Sequence, residues 1–191
     1  MHRRIRAAKR TRLAEVTEGE IVRVTGIARP LGPALEAPLS LRACVYYGIV
    51  VHAWDHAGRV RELGSEHERV AFTLADGADR VVIDPALASV SSAFDHVARW
   101  SPRQPAPAAI SALLARCGLA KRDWSRTRTV ECSESVLELD EAIAVVGAAE
   151  REPDPTAAPA GGYRDGSLAM RLRFAGSRRD PLLISDDPSA L

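Results

Sequence analysis

The longest uninterrupted apolar and aromatic run in the chain is Cys44–Val51, and it contains no charged residue. β-branched and aromatic side chains dominate it, which is typical of a strand buried on both faces or placed at the centre of a small barrel. The surrounding stretch Pro38–Trp54 therefore marks the structural centre of the fold. Tyr46 and Tyr47 are neighbours on one strand, so they are expected to point to opposite faces, one into the core and one to a surface.

Further strands are predicted from alternating apolar and polar residues along the chain. They cover residues 20–29, 69–74, 80–85, 126–139, 142–149, 168–174 and 181–185. Gly26 interrupts the first of these and is interpreted as a bulge or a sharp bend. Asp76-Gly77 is a turn dipeptide and predicts a hairpin between the second and third.

One helix is predicted over residues 108–119, because apolar side chains recur there at 3.6-residue spacing and Gly118 stands where a helix would end. The segment 150–166 is rich in Pro, Gly and Ala and is predicted to be a mobile loop. The chain as a whole is predicted to be mainly β (α+β): a single small β-barrel, or an OB-like or sandwich domain, with one or two peripheral helices.

The 191 residues suffice for one domain with appendages. We expect a basic arm over 1–16, a β-rich domain over 17–185 with a helical insertion near 105–120, and an acidic tail over 186–191. The formal net charge of +1 argues against nucleic-acid binding by the whole chain. The arm is expected to be a solvated tail or short helix, or else a patch that contacts anionic lipid weakly. Its basic residues are Arg3, Arg4, Arg6, Lys9, Arg10 and Arg12.

The cysteines Cys44, Cys117 and Cys132 are far apart, and no Cys-x-x-Cys pair occurs. A disulfide framework is not expected, and a reducing cytoplasm is the simpler setting. Neither a secretory signal nor an apolar run long enough to span a bilayer is present in this sequence, so a soluble cytoplasmic protein is expected.

No motif in the sequence specifies a catalytic site, a cofactor or a metal, and none is predicted. The histidines His52, His56 and His67 lack ligand spacing and are interpreted as surface residues. The carboxylates Asp76, Asp79 and Asp84 could be read as a catalytic or calcium-binding site, but turn chemistry explains Asp76 and Asp79 better. The carboxylates Glu131, Glu134 and Glu138 are interpreted as solvent-facing charges. A Gly-x-Ser-x-Gly motif is absent.

An ordered set of fragments along the chain is similar to the GIDE domain family. The fragments are Gly19-Glu20-x-Val22-x-Val24-x-Gly26, Ala37–Ser40 leading into Cys44–Tyr47, Phe72–Gly77, Val81–Pro85 and Pro181–Ser185. The family is the β-rich module of membrane-anchored RING-type E3 ubiquitin ligases and of bacterial relatives. The resemblance covers residues 17 to 185, and this sequence contains neither the membrane spans nor the zinc-binding RING.

The resemblance implies a non-catalytic module that presents a surface to substrates or partners. Exposed edge strands and the loop 150–166 are expected to form that contact surface, with addition of a strand to a sheet edge as one mode of binding. Two alternatives stay open: an OB-like barrel that binds nucleic acid, and an enzyme, either ligase-like or a hydrolase that uses Cys44 or the histidine region. The candidate binding surface consists of Tyr46, Tyr47, His52, Trp54, Arg171 and Arg173.

Overall fold

The computed structural model describes residues 1–155 and 169–191. Over these residues the chain forms strands, two α-helices and one 3₁₀ turn at Leu13–Glu15. The strands are β1 (Ile21–Pro30), β2 (Leu35–Glu36), β3 (Ala43–Asp55), β4 (Val60–Arg69), β5 (Phe72–Asp76), β6 (Asp79–Asp84), β7 (Ser89–Ser91), β8 (His96–Trp100), β9 (Thr127–Glu138), β10 (Ala142–Pro153), β11 (Met170–Ala175) and β12 (Leu183–Ser185). The helices are α1 (His2–Ala7) and α2 (Ala108–Arg116).

The chain divides into two compact units. The first comprises Met1–Pro33, Val70–Ser91 and Leu139–Leu191, and the second comprises Ala34–Arg69 and Ser92–Glu138. The second unit is thus formed by two insertions into the first. The domain boundaries expected at residues 17 and 185 remain a prediction.

The first unit is a closed five-stranded barrel in the order β1-β5-β6-β11-β10, with β10 pairing back to β1. Closure depends on β1, which pairs with β10 along Ile21–Ile27 and with β5 along Ile27–Pro30. β12 pairs with β10 and continues the sheet to β7. A barrel leaves no open edge among its members, which removes the usual site of unwanted strand pairing.

Gly26 allows a close approach between two strands of the barrel. A Cβ built at this position would lie 2.7 Å from the carbonyl oxygen of Ala75 on β5, far inside normal contact. The β1–β10 ladder passes through Gly26 without a register shift. The ladder therefore contains no bulge at Gly26, and the glycine is required by the tight contact with β5, while the alternative of a sharp bend remains a prediction.

The basic arm is anchored on the first unit. Ile5 of α1 is fully buried in a small cluster with Ala144, Val146, Leu183 and Ala190. The chain that follows α1 pairs with β1, since the Arg23 N–H donates to the Lys9 carbonyl at 2.7 Å. The expected short helix is confirmed, while contact of its exposed arginines with anionic lipid remains a prediction.

The second unit is a sheet in which β3 and β9 are central. β3 pairs with β9 along one side and with β2 and β4 along the other, and β8 pairs with the far side of β9. One face of the sheet is covered by α2 through Ile110, Leu113 and Leu114. The strand residues under this helix are Cys44, Tyr47, Ile49 and Val51 of β3 and Val130, Cys132 and Val136 of β9.

The predicted fold class is confirmed: the chain is mainly β, with a small barrel and two helices. The apolar run Cys44–Val51, however, lies in the open sheet of the second unit and not in the closed barrel. The strands β2, β4, β7 and β8 were not predicted. β10 extends to Pro153 into the segment expected to be a mobile loop, and residues 156–166 of that loop lie outside the described residues.

Candidate functional site

The two faces of β3 differ in chemistry. Tyr47 is 5% exposed and faces the core under α2, while Tyr46 lies on the opposite face. The Tyr46 ring covers Gly48, where a Cβ would lie 2.5 Å from the tyrosine hydroxyl, and that hydroxyl bonds the side chain of Ser135. An aromatic ring over a strand glycine compensates for the missing side chain. The expected opposite orientation of the two tyrosines is confirmed.

His52 and Trp54 alternate with Tyr46 along β3 and so share its face. His52 is half-buried and pairs in register with Glu62 and Glu131, and Trp54 is 37% exposed. Three of the six candidate surface residues therefore form one row on the second unit. Their binding role remains a prediction.

Arg171 and Arg173 lie on β11 of the first unit and are paired within it. Arg171 contacts Glu152 at 2.7 Å, and Arg173 forms an ion pair with Asp84. Hydrogen bonding to Asp84 raises the pKa of Arg173 above its usual value. These ion pairs join β11 to β10 and β6, and a binding role for the two arginines remains a prediction.

A polar cluster that sequence reasoning missed surrounds the hydroxyl of Tyr47. The hydroxyl oxygen of Tyr47 lies 2.9 Å from a carboxylate oxygen of Glu66 and 3.0 Å from one of Glu68, both on β4. Nε of Arg116, at the end of α2, donates to both carboxylate oxygens of Glu66. Burial and the two carboxylates raise the pKa of Tyr47 well above its usual range. The cluster joins α2 to β4 and holds the tyrosine in its neutral form.

Glu134 is fully buried, so its interpretation as a solvent-facing charge is wrong. It faces the core side of β9, in register with Ile49, and accepts hydrogen bonds from the backbone N–H groups of Leu39 and Ser40 at 2.8 and 2.9 Å. Two backbone donors satisfy the buried carboxylate. It fixes the turn that leads into β3, and its function here is structural.

The thiols are not arranged for nucleophilic chemistry. Cys44 and Cys132 are buried, and loss of solvation raises the pKa of each thiol to about 11. Burial also raises the pKa of Cys117. A reactive cysteine needs a depressed pKa, so these three shifts run in the opposite direction.

Over residues 1–155 and 169–191, no group of three or more His, Cys, Asp and Glu side chains is arranged to hold a metal ion. Within the same residues, no helix combines the length and the apolar character needed to cross a bilayer.

The sheet of the second unit ends in two strands of different character. On one side, β4 has a strongly charged edge, with Arg61, Glu62, Glu66, Glu68 and Arg69 among its ten residues. On the other side, β8 has the sequence His-Val-Ala-Arg-Trp, and its Arg99 is paired with Glu131 of β9 at 2.7 Å. Among the described residues, no strand pairs with the outer edge of β8.

Exposed apolar side chains accompany this open edge. Val97 is 46% exposed on β8, and Phe94, two residues before the strand begins, is 55% exposed. A short strand with unpaired backbone groups and apolar neighbours can accept a strand from another chain. Residues 96–100 pair with β9, a strand that lies about 30 residues later in the chain. The sequence around Val97 has no strong strand pattern, so this pairing could not be predicted from it.

Comparison with known proteins gives one family. The family profile described as "GIDE: E3 Ubiquitin ligase" matches residues 53–159, which is more than half of the chain. The matched range includes β4, β8, α2 and β9, and so most of the second unit. No curated protein and no solved structure matches the chain. The chain therefore belongs to the GIDE family, whose description is that of an E3 ubiquitin ligase.

Proposed function

We propose that the chain is a non-catalytic protein-interaction module, which binds an extended segment of a partner protein along β8. In the setting of a ubiquitin-ligase family, the bound protein is a substrate that the module presents. The observation that carries this proposal is the outer edge of β8, which pairs with no other strand within residues 1–155 and 169–191 and lies beside exposed Val97 and Phe94.

Charge favours β8 over β4 as the binding edge. Charged side chains along an edge strand oppose pairing with another chain, and β4 has such side chains at half of its positions. β8 has one arginine, and that arginine is already neutralised by Glu131. A partner strand would add backbone hydrogen bonds along the five residues of β8 and place an apolar side chain beside Val97.

The state of the thiols argues against one catalytic route, namely transfer by way of a covalent thioester intermediate. A thiol that forms a covalent intermediate must be available as thiolate near neutral pH. With pKa values of about 11, Cys44 and Cys132 are almost entirely protonated there. Neither offers a route to transfer by way of a thioester.

A library of displayed extended peptides, selected on the immobilised chain, tests the proposal. Val97→Lys places a charge on the open edge, and Val60→Lys makes the same change at a comparably exposed position, 53% exposed, on β4. We expect Val97→Lys to weaken binding of selected peptides by about tenfold or more, whereas Val60→Lys leaves it within about twofold.

Two results would count against the proposal. One is a selection that yields no peptide whose binding depends on the folded chain. The other is a set of peptides that bind the two lysine variants equally well, which would place their contact surface away from β8.

A further inference from the structure

A cleft of about 480 Å³ lies at the end of the second unit where the β3–β4 hairpin turns. Its lining comes from the end of β3, the start of β4 and residues 122–127, which lead from α2 into β9. Ala53 and Arg61 are paired in register, so the Arg61 side chain lies on the same face of the sheet as the core residues of β3. The Arg61 side chain is exposed at this position, so its guanidinium group is accessible to a ligand in the cleft.

Four arginines line the cleft, and two aspartates accompany them. The arginines are Arg59, Arg61, Arg122 and Arg126, and the aspartates are Asp55 and Asp123. The formal charge of the lining is therefore +4 − 2 = +2. This excess is larger than the +1 of the entire chain, so the cleft is a local concentration of positive charge.

Both aspartates are engaged within their own turns. Asp55 accepts from the backbone N–H groups of Ala57 and Arg59 and from Arg59 Nε, at 2.8 to 3.0 Å. Asp123 accepts from the N–H and the hydroxyl of Ser125 at 2.9 and 3.0 Å. These bonds lower the pKa of both carboxyl groups and fix the walls of the cleft.

Arg61 and Arg122 have guanidinium donors that no described residue uses. Arg122 Nε is buried and has no hydrogen-bond partner among the described residues, while its guanidinium carbon lies 5.5 Å from the centre of the Trp124 ring. Trp124 is itself packed edge-on against Trp100 at 5.8 Å, so the ring beneath the Arg122 guanidinium group is part of a packed aromatic pair. Arg61 forms no ion pair with any residue in the described part of the chain.

We propose that this cleft binds the phosphate group of a phosphate monoester. Such a group carries a charge of about −1.5 to −2 at neutral pH, which matches the excess of +2, and it presents three acceptor oxygens to the arginine forks. A single carboxylate would neutralise only half of the excess. The proposal is independent of strand addition, because none of the five residues of β8 lines the cleft.

Isothermal titration of the full chain at constant ionic strength tests this with three probes: inorganic phosphate, N-acetyl-phosphoserine amide and acetate. We expect at least one phosphate probe to bind about tenfold or more tightly than acetate. Stronger binding of the phosphoserine probe identifies a phosphorylated side chain as the ligand. Equal or stronger binding of inorganic phosphate identifies free phosphate or a small phosphate ester.

Arg61→Gln and Arg126→Gln remove one charge each from the lining, and both side chains are exposed, so the fold should persist. Arg128→Gln is the matched control, since Arg128 is exposed on β9 and outside the lining. We expect each lining variant to weaken phosphate binding by about tenfold and the control by less than about twofold. Thermal melting of every variant verifies folding.

Three results would overturn the proposal. They are the absence of binding by both phosphate probes at concentrations of about 10 mM, which corresponds to negligible affinity; acetate binding as tight as phosphate binding; and phosphate binding that responds equally to Arg61→Gln, Arg126→Gln and Arg128→Gln.

Discussion

Glu134 and Tyr47 place polar groups inside the sheet of the second unit, each with a specific set of partners. Glu134 accepts hydrogen bonds from two backbone N–H groups of the turn before β3, and the Tyr47 hydroxyl donates toward the carboxylates of Glu66 and Glu68 on β4. Buried polar groups stabilise a fold only when they are satisfied, and they are costly when a partner is removed. These side chains therefore fix the position of the chain on both flanks of β3.

Glu134→Ala leaves the N–H groups of Leu39 and Ser40 without their acceptor and opens a cavity beside Ile49. We expect it to lower the free energy of unfolding by about 2–4 kcal/mol, measured by urea denaturation. Glu131→Ala on the same strand removes an ion pair with the exposed Arg99, and we expect a change below about 1 kcal/mol. Equal losses in the two variants would contradict the structural role of Glu134.

The buried thiols cause the free energy of unfolding to fall as the pH becomes alkaline. Cys44 and Cys132 have pKa values raised to about 11, so the folded chain retains protons that the unfolded chain releases near pH 9. The two protonated thiols contribute fully to the free energy of unfolding below about pH 8.5, and this contribution is lost as the pH rises through 11. We expect the urea midpoint to fall between pH 8.5 and 10.5, and to fall less in Cys132→Ala. A constant midpoint across this range would be the contrary result.

At the scale of the elements, the sequence predicted strands well where one short pattern determines them. The Asp76-Gly77 hairpin of β5 and β6, the buried face of β1 at Val22 and Val24, and α2 are all found where expected. β4 was not predicted because its many charged residues leave no clear alternation of apolar and polar side chains. Its side chains Glu66 and Glu68 belong to the Tyr47 cluster, which is a tertiary contact.

The closure of the barrel also could not be predicted from short sequence patterns. It depends on the pairing of β1 with β10, whose register joins Ile21 to Ala148, and no short pattern contains that information. For the same reason the most apolar run was assigned to a barrel, although β3 is the centre of an open sheet covered by α2. The arginine cleft likewise forms only when the β3–β4 hairpin meets the residues that precede β9.

Gly26 tests the barrel geometry directly. Gly26→Ala forces a methyl group against the Ala75 carbonyl, and we expect a loss of about 1–3 kcal/mol in the free energy of unfolding. Gly32→Ala is the control, because no atom lies within 4 Å of a Cβ at that position and its φ is not positive. Urea denaturation should show no destabilisation of the control beyond about 0.5 kcal/mol. Equal stability of the two variants would contradict the close β1–β5 contact.

At the scale of the whole molecule, membership of the GIDE family and the protonated thiols together lead to a prediction about activity. In a reaction with ubiquitin, its activating enzyme, a panel of conjugating enzymes and ATP, we expect the chain to form no ubiquitin thioester on Cys44, Cys117 or Cys132. The measurement is a non-reducing gel, with a thioester-forming ligase as the positive control. A reducible ubiquitin adduct that is lost in Cys44→Ala would contradict the non-catalytic proposal.

The proposed function requires the open edge of β8 to accept a strand from a partner protein. Amide hydrogen exchange of the full chain, with and without a peptide selected on it, tests this most directly, because a new backbone ladder slows exchange at the residues that form it. We expect peptide binding to slow exchange at residues 96–100 and to leave the edge of β4, residues 60–69, unchanged. Saturating peptide binding without added protection at residues 96–100 would contradict the claim.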